Sequence, residues 1–477
     1  MADGAFTPPV RVDMLVCGKM VPGTARMEVI NPATTEVIGT APRCNRDELE
    51  AVMAEARAAF PAWRDTPIEE RRKAVAQIAD LIEAAAEEIA ATLTAEQGKN
   101  LTFARAELAS LTRFLRAQAG IEMPVVVNED SEERISKTYR VPLGVVAAIS
   151  PWNFPVLLAW WKIVPALLAG NTVVLKPAPQ TPLAALKIAA LVADLFPAGV
   201  LQVISGGDEL GPWLTAHPEV DKISFTGSTA TGRKVMEGAG ASLKRLTLEL
   251  GGNDPALVFD DVDPVKAANK VFWAAFANAG QICIASKRVY VQRSIYEAFR
   301  DALVAAAAQV KVGNGAEPDT LVGPIQNKAQ FERVKDLIAD SRAHGYTFAF
   351  EGEAPQGPGF FMPLTILDNP PDDARIVREE QFGPVLPLLV FDTEDEVIAR
   401  ANDTEYGLAA TIWTEDMTRA ERVSRRLEAG TVWINEAIYL SPDAAFGGRK
   451  QSGLGAEHGA DALLAVTEPQ TVTMKRN

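Results

Sequence analysis

From residue 141 onward, short runs of apolar, β-branched residues alternate with helical stretches, and this alternation limits the fold more than any other feature of the chain. The runs cover 144–149, 172–175, 200–204, 223–225 and 246–250, with helical segments at 155–169, at 181–195 and from about Thr229. Strands that short and that uniformly apolar are buried on both faces, so the pattern predicts a parallel sheet built from βαβ units. After Gly252 a second α/β unit begins, with a strand at 256–259, a helix at 264–279 and a strand at 287–291.

The segment before this alternation reads differently. Asn31-Pro32-Ala33-Thr34-Thr35 makes a turn between extended runs at 27–30 and 36–38, and Ala-rich helices follow at about 48–60 and 68–93. The segments 139–142 and 470–474 read as β-rich extensions of the kind that reach a neighbouring subunit. A length of 477 residues with 48% hydrophobic content calls for two or three domains. The longest apolar stretch, 156–170, contains Lys162 and Pro165 and is too short for a membrane span, so it predicts a buried helix. A net charge of −15 argues against nucleic acid or an acidic membrane as partner, since either calls for clustered Lys and Arg. The N-terminus has no basic region followed by an apolar one, so no secretory signal is expected. Three cysteines, at 17, 44 and 283, form neither a metal spacing nor a disulfide framework, which fits a reduced, cytoplasmic setting.

Cys283, in Gly280-Gln281-Ile282-Cys283, follows Glu249, in Leu248-Glu249-Leu250-Gly251-Gly252, by 34 residues. A thiol and a carboxylate supply a nucleophile and a base, the parts needed for oxidation through a thioester. Alone, the pair reads equally as a buried thiol and a structural carboxylate. Its neighbours change the weighing. Ser150-Pro151-Trp152-Asn153-Phe154-Pro155 sets an amide at a strand-to-helix junction, where it can donate to a developing oxyanion. Lys176-Pro177 ends one strand, Phe225-Thr226-Gly227-Ser228 opens another strand-to-helix turn, and Glu379-Glu380-Gln381-Phe382-Gly383-Pro384 comes late. His217, His344 and His458 lie in polar settings that read as solvated loops or helix ends, so neither a Cys–His hydrolase nor a metal centre is expected.

These motifs, in this order and spacing, resemble the aldehyde dehydrogenase superfamily of the NAD(P)-dependent, non-acylating kind, over essentially the whole chain. The resemblance implies an α/β protein with a Rossmann-like parallel-sheet cofactor domain, an α/β catalytic domain and a small β oligomerisation extension. The expected bounds are 1–122 and 143–249 for the dinucleotide-binding domain, 123–142 and 456–477 for the bridging segments, and 250–455 for the catalytic domain. It implies Cys283 as nucleophile, Asn153 as oxyanion donor with the Cys283 N–H, Glu249 as base, and Lys162 with Glu457 in release of the proton from that base. For the cofactor it implies Trp152 and Lys176 near the adenosine half, Gly206 in the adjoining turn, Gly227, Ser228 and Thr231 at the pyrophosphate, and Glu380 with Phe382 at the nicotinamide ribose. The Gly-x-Gly-x-x-Gly fingerprint is absent, so the dinucleotide expectation rests on the resemblance. NAD is expected, with NADP a second candidate, because Pro179 stands where many members carry an acid that repels a 2′-phosphate. Arg449 replaces a common aromatic, and the loop after Gly206 is one residue shorter than in many members.

The implied aldehyde tunnel has walls at Phe154, Leu157, Trp161, Ile282, Ile284, Tyr439, Leu440 and Phe446, whereas Leu158 and Trp160 read as core. Such walls suit an uncharged aliphatic or aromatic aldehyde, since a buried carboxylate needs a paired charge and Trp161 stands where semialdehyde-specific relatives place an arginine. A homodimer or homotetramer is expected. The alternative is a non-catalytic structural or binding member of the superfamily, against which Cys283 and Glu249 both speak.

Overall fold

The structure, a computed structural model, describes residues 9–476. Two sheets dominate. In the first, five parallel strands run in the order Arg245–Glu249, Lys222–Thr226, Val145–Ile149, Thr172–Lys176 and Leu201–Val203. Antiparallel strands flank them, Gly453–Leu454 at one edge and Met14–Val16 with Lys19–Val21 at the other. The predicted run at 200–204 is trimmed by one residue at each end.

Register aligns Ile149 with both Lys176 and Phe225, and Thr226 with Glu249. Ser150, Lys176, Gly227 and Glu249 therefore all emerge at the carboxyl ends of the parallel strands, the edge at which open α/β sheets bind ligands. The Leu157–Ala169 helix, the predicted buried one, packs within the main hydrophobic core and tolerates Pro165 in its interior. No helix among the described residues is long and apolar enough to cross a membrane.

The second sheet has the order Phe348–Glu351, Thr365–Asp368, Val385–Phe391, Ser286–Gln292, Asp254–Val258, Ala409–Trp413 and Thr431–Ile434, parallel except at the first pair. The chain passes from one sheet to the other between Glu249 and Asp254. A third sheet pairs Thr467–Lys475 along the whole of Arg134–Pro142, with Val126–Asp130 outside, so both predicted β extensions lie in one ribbon.

Two helical readings need correction. The segment expected as one helix at 68–93 is two, Ile68–Ala84 and Ala86–Gln97, meeting at Ala85 with φ −107° and ψ 12°. Neither Gly nor Pro marks the break. Tertiary contacts set the second helix, whose buried Glu96 accepts from the backbone N–H groups of Leu183 and Ala184 at 2.7 and 2.9 Å. A further helix, Leu101–Ala119, has no counterpart in the sequence reading and is capped by Asn100, which accepts from the Phe103 N–H at 2.8 Å.

Candidate active site

Cys283 sits in a loop held by backbone strain and by one buried amide. Asn278, Ala279 and Gly280 adopt positive φ of 52°, 56° and 69° in succession. Only glycine fits the last, because a Cβ there would lie 2.2 Å from the Gly383 carbonyl oxygen. Gln281, 1% exposed, donates to the Asn278 carbonyl at 2.9 Å and accepts from the Gln326 N–H at 2.8 Å. Lys287 donates to the Cys283 carbonyl at 2.5 Å. Burial pushes the Cys283 thiol up to about 12, a rise that Asp254, Glu380 and Glu249 add to and Lys287 opposes. The thiol therefore needs a base to act as a nucleophile near neutral pH.

Asn153 lies across from this loop. Its side-chain N–H donates to the Gln281 carbonyl at 2.9 Å, and its own carbonyl accepts from Lys99 at 2.9 Å and Asn278 at 3.3 Å. An amide nitrogen has two N–H donors, so the second remains for another acceptor. Lys99 forms a fully buried ion pair with Glu107 at 2.5 Å, and the other Glu107 oxygen accepts from the Val156 and Leu157 N–H groups at 3.2 and 3.1 Å. This pair, absent from the sequence reading, ties the Leu101–Ala119 helix to the segment that carries Asn153.

Glu249 ends its strand 3% exposed, and neither carboxylate oxygen has a hydrogen-bond partner. Burial raises its carboxyl well above the ordinary range, Glu457 raises it further and Lys162 lowers it. Lys162 is buried and donates to Thr226 at 2.6 Å and to Glu457 at 2.5 Å. The Glu249 carboxyl and the ion pair thus form one buried cluster whose charges act on each other, and Glu249 adds to the rise of the Cys283 thiol.

Of the residues expected at a dinucleotide, Trp152, Lys176, Gly206, Gly227 and Ser228 follow or end strands of the first sheet, and Glu380 and Phe382 come from the segment that leads into Val385–Phe391 of the second. Lys176 is 5% exposed, burial lowers its ammonium to about 8, and its one hydrogen bond is a long 3.4 Å contact with the Pro177 carbonyl. Ser228 caps the Thr229–Gly240 helix, accepting from the Thr231 N–H at 3.2 Å, and Gly227 precedes it where a Cβ would meet the Phe225 ring at 2.5 Å. Gly206 follows the Leu201–Val203 strand and packs against Leu210. The Trp152 and Phe382 rings meet edge-on at 5.4 Å. Glu380 accepts from the Gly252 N–H at 3.1 Å and pairs with Lys287 at 3.3 Å.

A cavity of about 250 Å³ opens beside Cys283. Phe154, Leu157, Trp161, Ile282, Ile284, Leu440 and Phe446 line it as expected, and Leu158, read as core, lines it too. Tyr439 does not. It is 50% exposed while Ile438 and Leu440 on either side face the cavity, and its carbonyl accepts from the Trp433 indole at 2.7 Å. One wall comes from the Leu101–Ala119 helix through Phe103, Ala106, Glu107, Ser110, Arg113 and Phe114. His458 completes the lining and is 2% exposed, and His217 is equally buried against Glu50 at 3.1 Å, so the solvated reading of these two histidines is wrong. Among the described residues no cluster of His, Cys, Asp and Glu could hold a metal ion.

Residues 20–472 match the model of the aldehyde dehydrogenase family. The chain belongs to this family. It is 43% identical over 473 residues to a probable aldehyde dehydrogenase of a Pseudomonas species, covering 98% of this chain and 96% of that one. It is 40% identical to a phenylacetaldehyde dehydrogenase of Pseudomonas fluorescens, with 97% and 95% covered. Among solved structures, an NAD+ complex of an aldehyde dehydrogenase from Bacillus cereus superposes with a TM-score of 0.96 at 38% identity, covering 98% of this chain and 97% of that one. Family membership carries aldehyde oxidation with it.

Proposed function

We propose that this chain oxidises an uncharged aliphatic or aromatic aldehyde to the carboxylic acid with NAD, through a thioester on Cys283. The observation that carries the reading is the set of three groups, the half-buried Cys283 and the buried Asn153 and Glu249, of which Asn153 keeps a free amide N–H and Glu249 two free oxygens. As the Cys283 sulfur bonds to the aldehyde carbon, its proton passes to Glu249 and the carbonyl electron pair moves onto oxygen, which accepts from Asn153 and the Cys283 N–H. Bound NAD would supply the acceptor for the hydride that leaves that carbon as the oxyanion collapses. Once that proton has left Glu249, the carboxylate takes a proton from the water that attacks the thioester, the C–S bond breaks, and the proton returns from Glu249 to the leaving sulfur, so the acid and the thiol are released. A carboxyl raised by burial suits both transfers, and the Lys162–Glu457 pair stands ready to pass its proton on.

The residues present fit NAD. Lys176 is a buried cation with no ion-pair partner, Gly227 keeps side-chain bulk off a helix N-terminus, and Glu380 can accept from ribose hydroxyls. Trp152, Gly206, Ser228, Thr231 and Phe382 complete this set. Pro179 supplies no charge against a 2′-phosphate, so NADP is a second candidate. We assign 1–122 and 143–249 to cofactor binding, 250–455 to the thiol and its loop, and 123–142 with 456–477 to assembly of a cytoplasmic homodimer or homotetramer. Five aromatic rings in the cavity wall, Phe103, Phe114, Phe154, Trp161 and Phe446, support an aliphatic or aromatic substrate of the kind named for the Pseudomonas fluorescens relative.

The test is formation of reduced nicotinamide, followed by absorbance, with aliphatic, aromatic and carboxylated aldehydes and NAD or NADP. Turnover of apolar aldehydes, lost in Cys283→Ala with cofactor binding retained, is the expected result. Turnover by Cys283→Ala would refute the nucleophile, and silence with every pair would favour a binding role.

A further inference from the structure

A buried cation stands beside the nucleophile, and the reaction scheme leaves it unused. Lys287, 3% exposed, is the second residue of the Ser286–Gln292 strand, which begins just after the Cys283 loop. Its ammonium donates to the Cys283 carbonyl at 2.5 Å and pairs with Glu380 Oε1 at 3.3 Å. The same Glu380 oxygen accepts from the Gly252 N–H at 3.1 Å, in the segment that follows Glu249. A Cβ on Gly252 would lie 2.9 Å from the Cys283 carbonyl oxygen and 2.7 Å from Asp254 Oδ1, so that segment passes between the two only because it carries no side chain there. The nucleophile's main chain, the base's segment and the carboxylate expected at the ribose thus converge on one ammonium. Taking an ammonium out of water is costly, and the carboxyls of Glu380 and Asp254 offset that cost.

We propose that Lys287 is a positioning residue for the nucleophile, whose ammonium fixes the Cys283 main chain and supplies the positive charge beside which the thiolate forms. The inference rests on the thioester reaction proposed above and adds a residue to it. When the Cys283 proton leaves for Glu249, the S–H electron pair stays on sulfur, and Lys287 is the cation that faces the new negative charge. Among the charges that act on the thiol, Lys287 favours the thiolate, while Asp254, Glu380 and Glu249 oppose it. Glu380 opposes it twice, as a like charge and by engaging the Lys287 ammonium. Asp254 lies on the adjoining strand, in register with Ser286. Burial raises its carboxyl to about 7, a rise that Lys287 and Arg288 oppose and Glu380 adds to. Above that pH Asp254 remains a counter-charge for Lys287 when Glu380 is made neutral.

The experiment follows alkylation of Cys283 by iodoacetamide in the full chain across pH, with the modified peptide read by mass spectrometry so that Cys17 and Cys44 do not contribute. Cys283 is half-buried and lines the cavity, so the reagent can reach it. Below the pKa of the thiol the rate follows the thiolate fraction. Loss of an adjacent opposite charge moves a pKa by about one unit or more. Lys287→Met should therefore alkylate about three- to tenfold more slowly at a given pH, the smaller figure allowing for the stronger nucleophilicity of a weaker acid. Lys287→Arg keeps the charge and should stay near the parent. Glu380→Gln should alkylate faster, by about two- to fivefold, and the double variant Lys287→Met, Glu380→Gln should lie between the two single ones. A clamp with no electrostatic part would let both single variants loosen the loop in the same direction. Shifts of the same sign, or an unmoved rate in Lys287→Met, therefore overturn the proposal. If Lys287→Met does not fold, Glu380→Gln decides alone, and a slower or unchanged rate overturns it. Opposed shifts in a protein that oxidises no aldehyde would refute the thioester reaction alone, whereas aldehyde turnover without opposed shifts would refute the role of Lys287 alone.

Discussion

Replacing Glu107 by Gln removes one charge from the ion pair that holds the Asn153 segment, and the cost can be worked through. Both side chains of the pair have zero exposure, so Lys99 would be left as a buried cation without a counter-charge. Breaking a buried pair from one side costs about 3–5 kcal/mol. Gln keeps an oxygen for the Val156 and Leu157 N–H groups, so those bonds add little to the loss. Unfolding entropy of about 2.1 cal/mol/K per residue gives roughly 1 kcal/mol/K for 477 residues, and Tm should fall by about 3–5 °C. Because Lys99 also donates to the Asn153 carbonyl, kcat should fall as well, by up to about 10²-fold for a displacement near 1 Å. The double variant Lys99→Met, Glu107→Gln removes both charges and should recover most of the Tm. Thermal scanning and steady-state kinetics on the three proteins decide the matter. A single variant within about 1 °C of the parent with unchanged kcat, or a double variant less stable than the single one, would refute the reasoning.

Glu249→Gln should keep a first burst of reduced nicotinamide in stopped flow while steady turnover falls by about 10²-fold or more, and an unchanged steady rate rules out its role in thioester hydrolysis. Glu457→Gln removes a charge that raises the Glu249 carboxyl, so the acid limb of the kcat–pH profile should move to lower pH. Lys162→Met removes the opposing charge and should move that limb upward; shifts of the opposite sign contradict the assignment. Pro179→Glu should lower kcat/KM with NADP by about fivefold or more and leave NAD nearly unaffected, and equal effects on the two cofactors would show that this position does not face the 2′-carbon.

The placement of Cys283, Glu249, Asn153 and Lys176 was legible because they stand at the ends of strands or in tight loops, where local sequence dictates position. The substrate wall was not. Ala106, Glu107 and Ser110 look like a solvated helix face, yet they turn toward the cavity because Glu107 meets Lys99 from a separate turn. The Asn100 cap and the spacing of Leu108, Leu111 and Leu115 could have marked the helix itself. His458, between Glu457 and Gly459, has polar neighbours in sequence and aromatic ones in space. Tyr439 turns outward between Ile438 and Leu440 in a segment without regular structure, where Ile438 has a φ of 62°, and no composition argument detects that turn.

The crossing between the two large sheets has a consequence for recombination. A chimera cut at Gly251–Asn253 would inherit its base from one parent and its thiol from the other, which suits a tight covalent link of a few residues. Substrate choice would not divide at the same seam. The cavity draws on Phe103 and Trp161 upstream and on Leu440 and His458 downstream, and the residues proposed for the cofactor divide as well, with Lys176 and Gly227 upstream and Glu380 and Phe382 downstream, so each preference has to be transplanted from both sides of the cut.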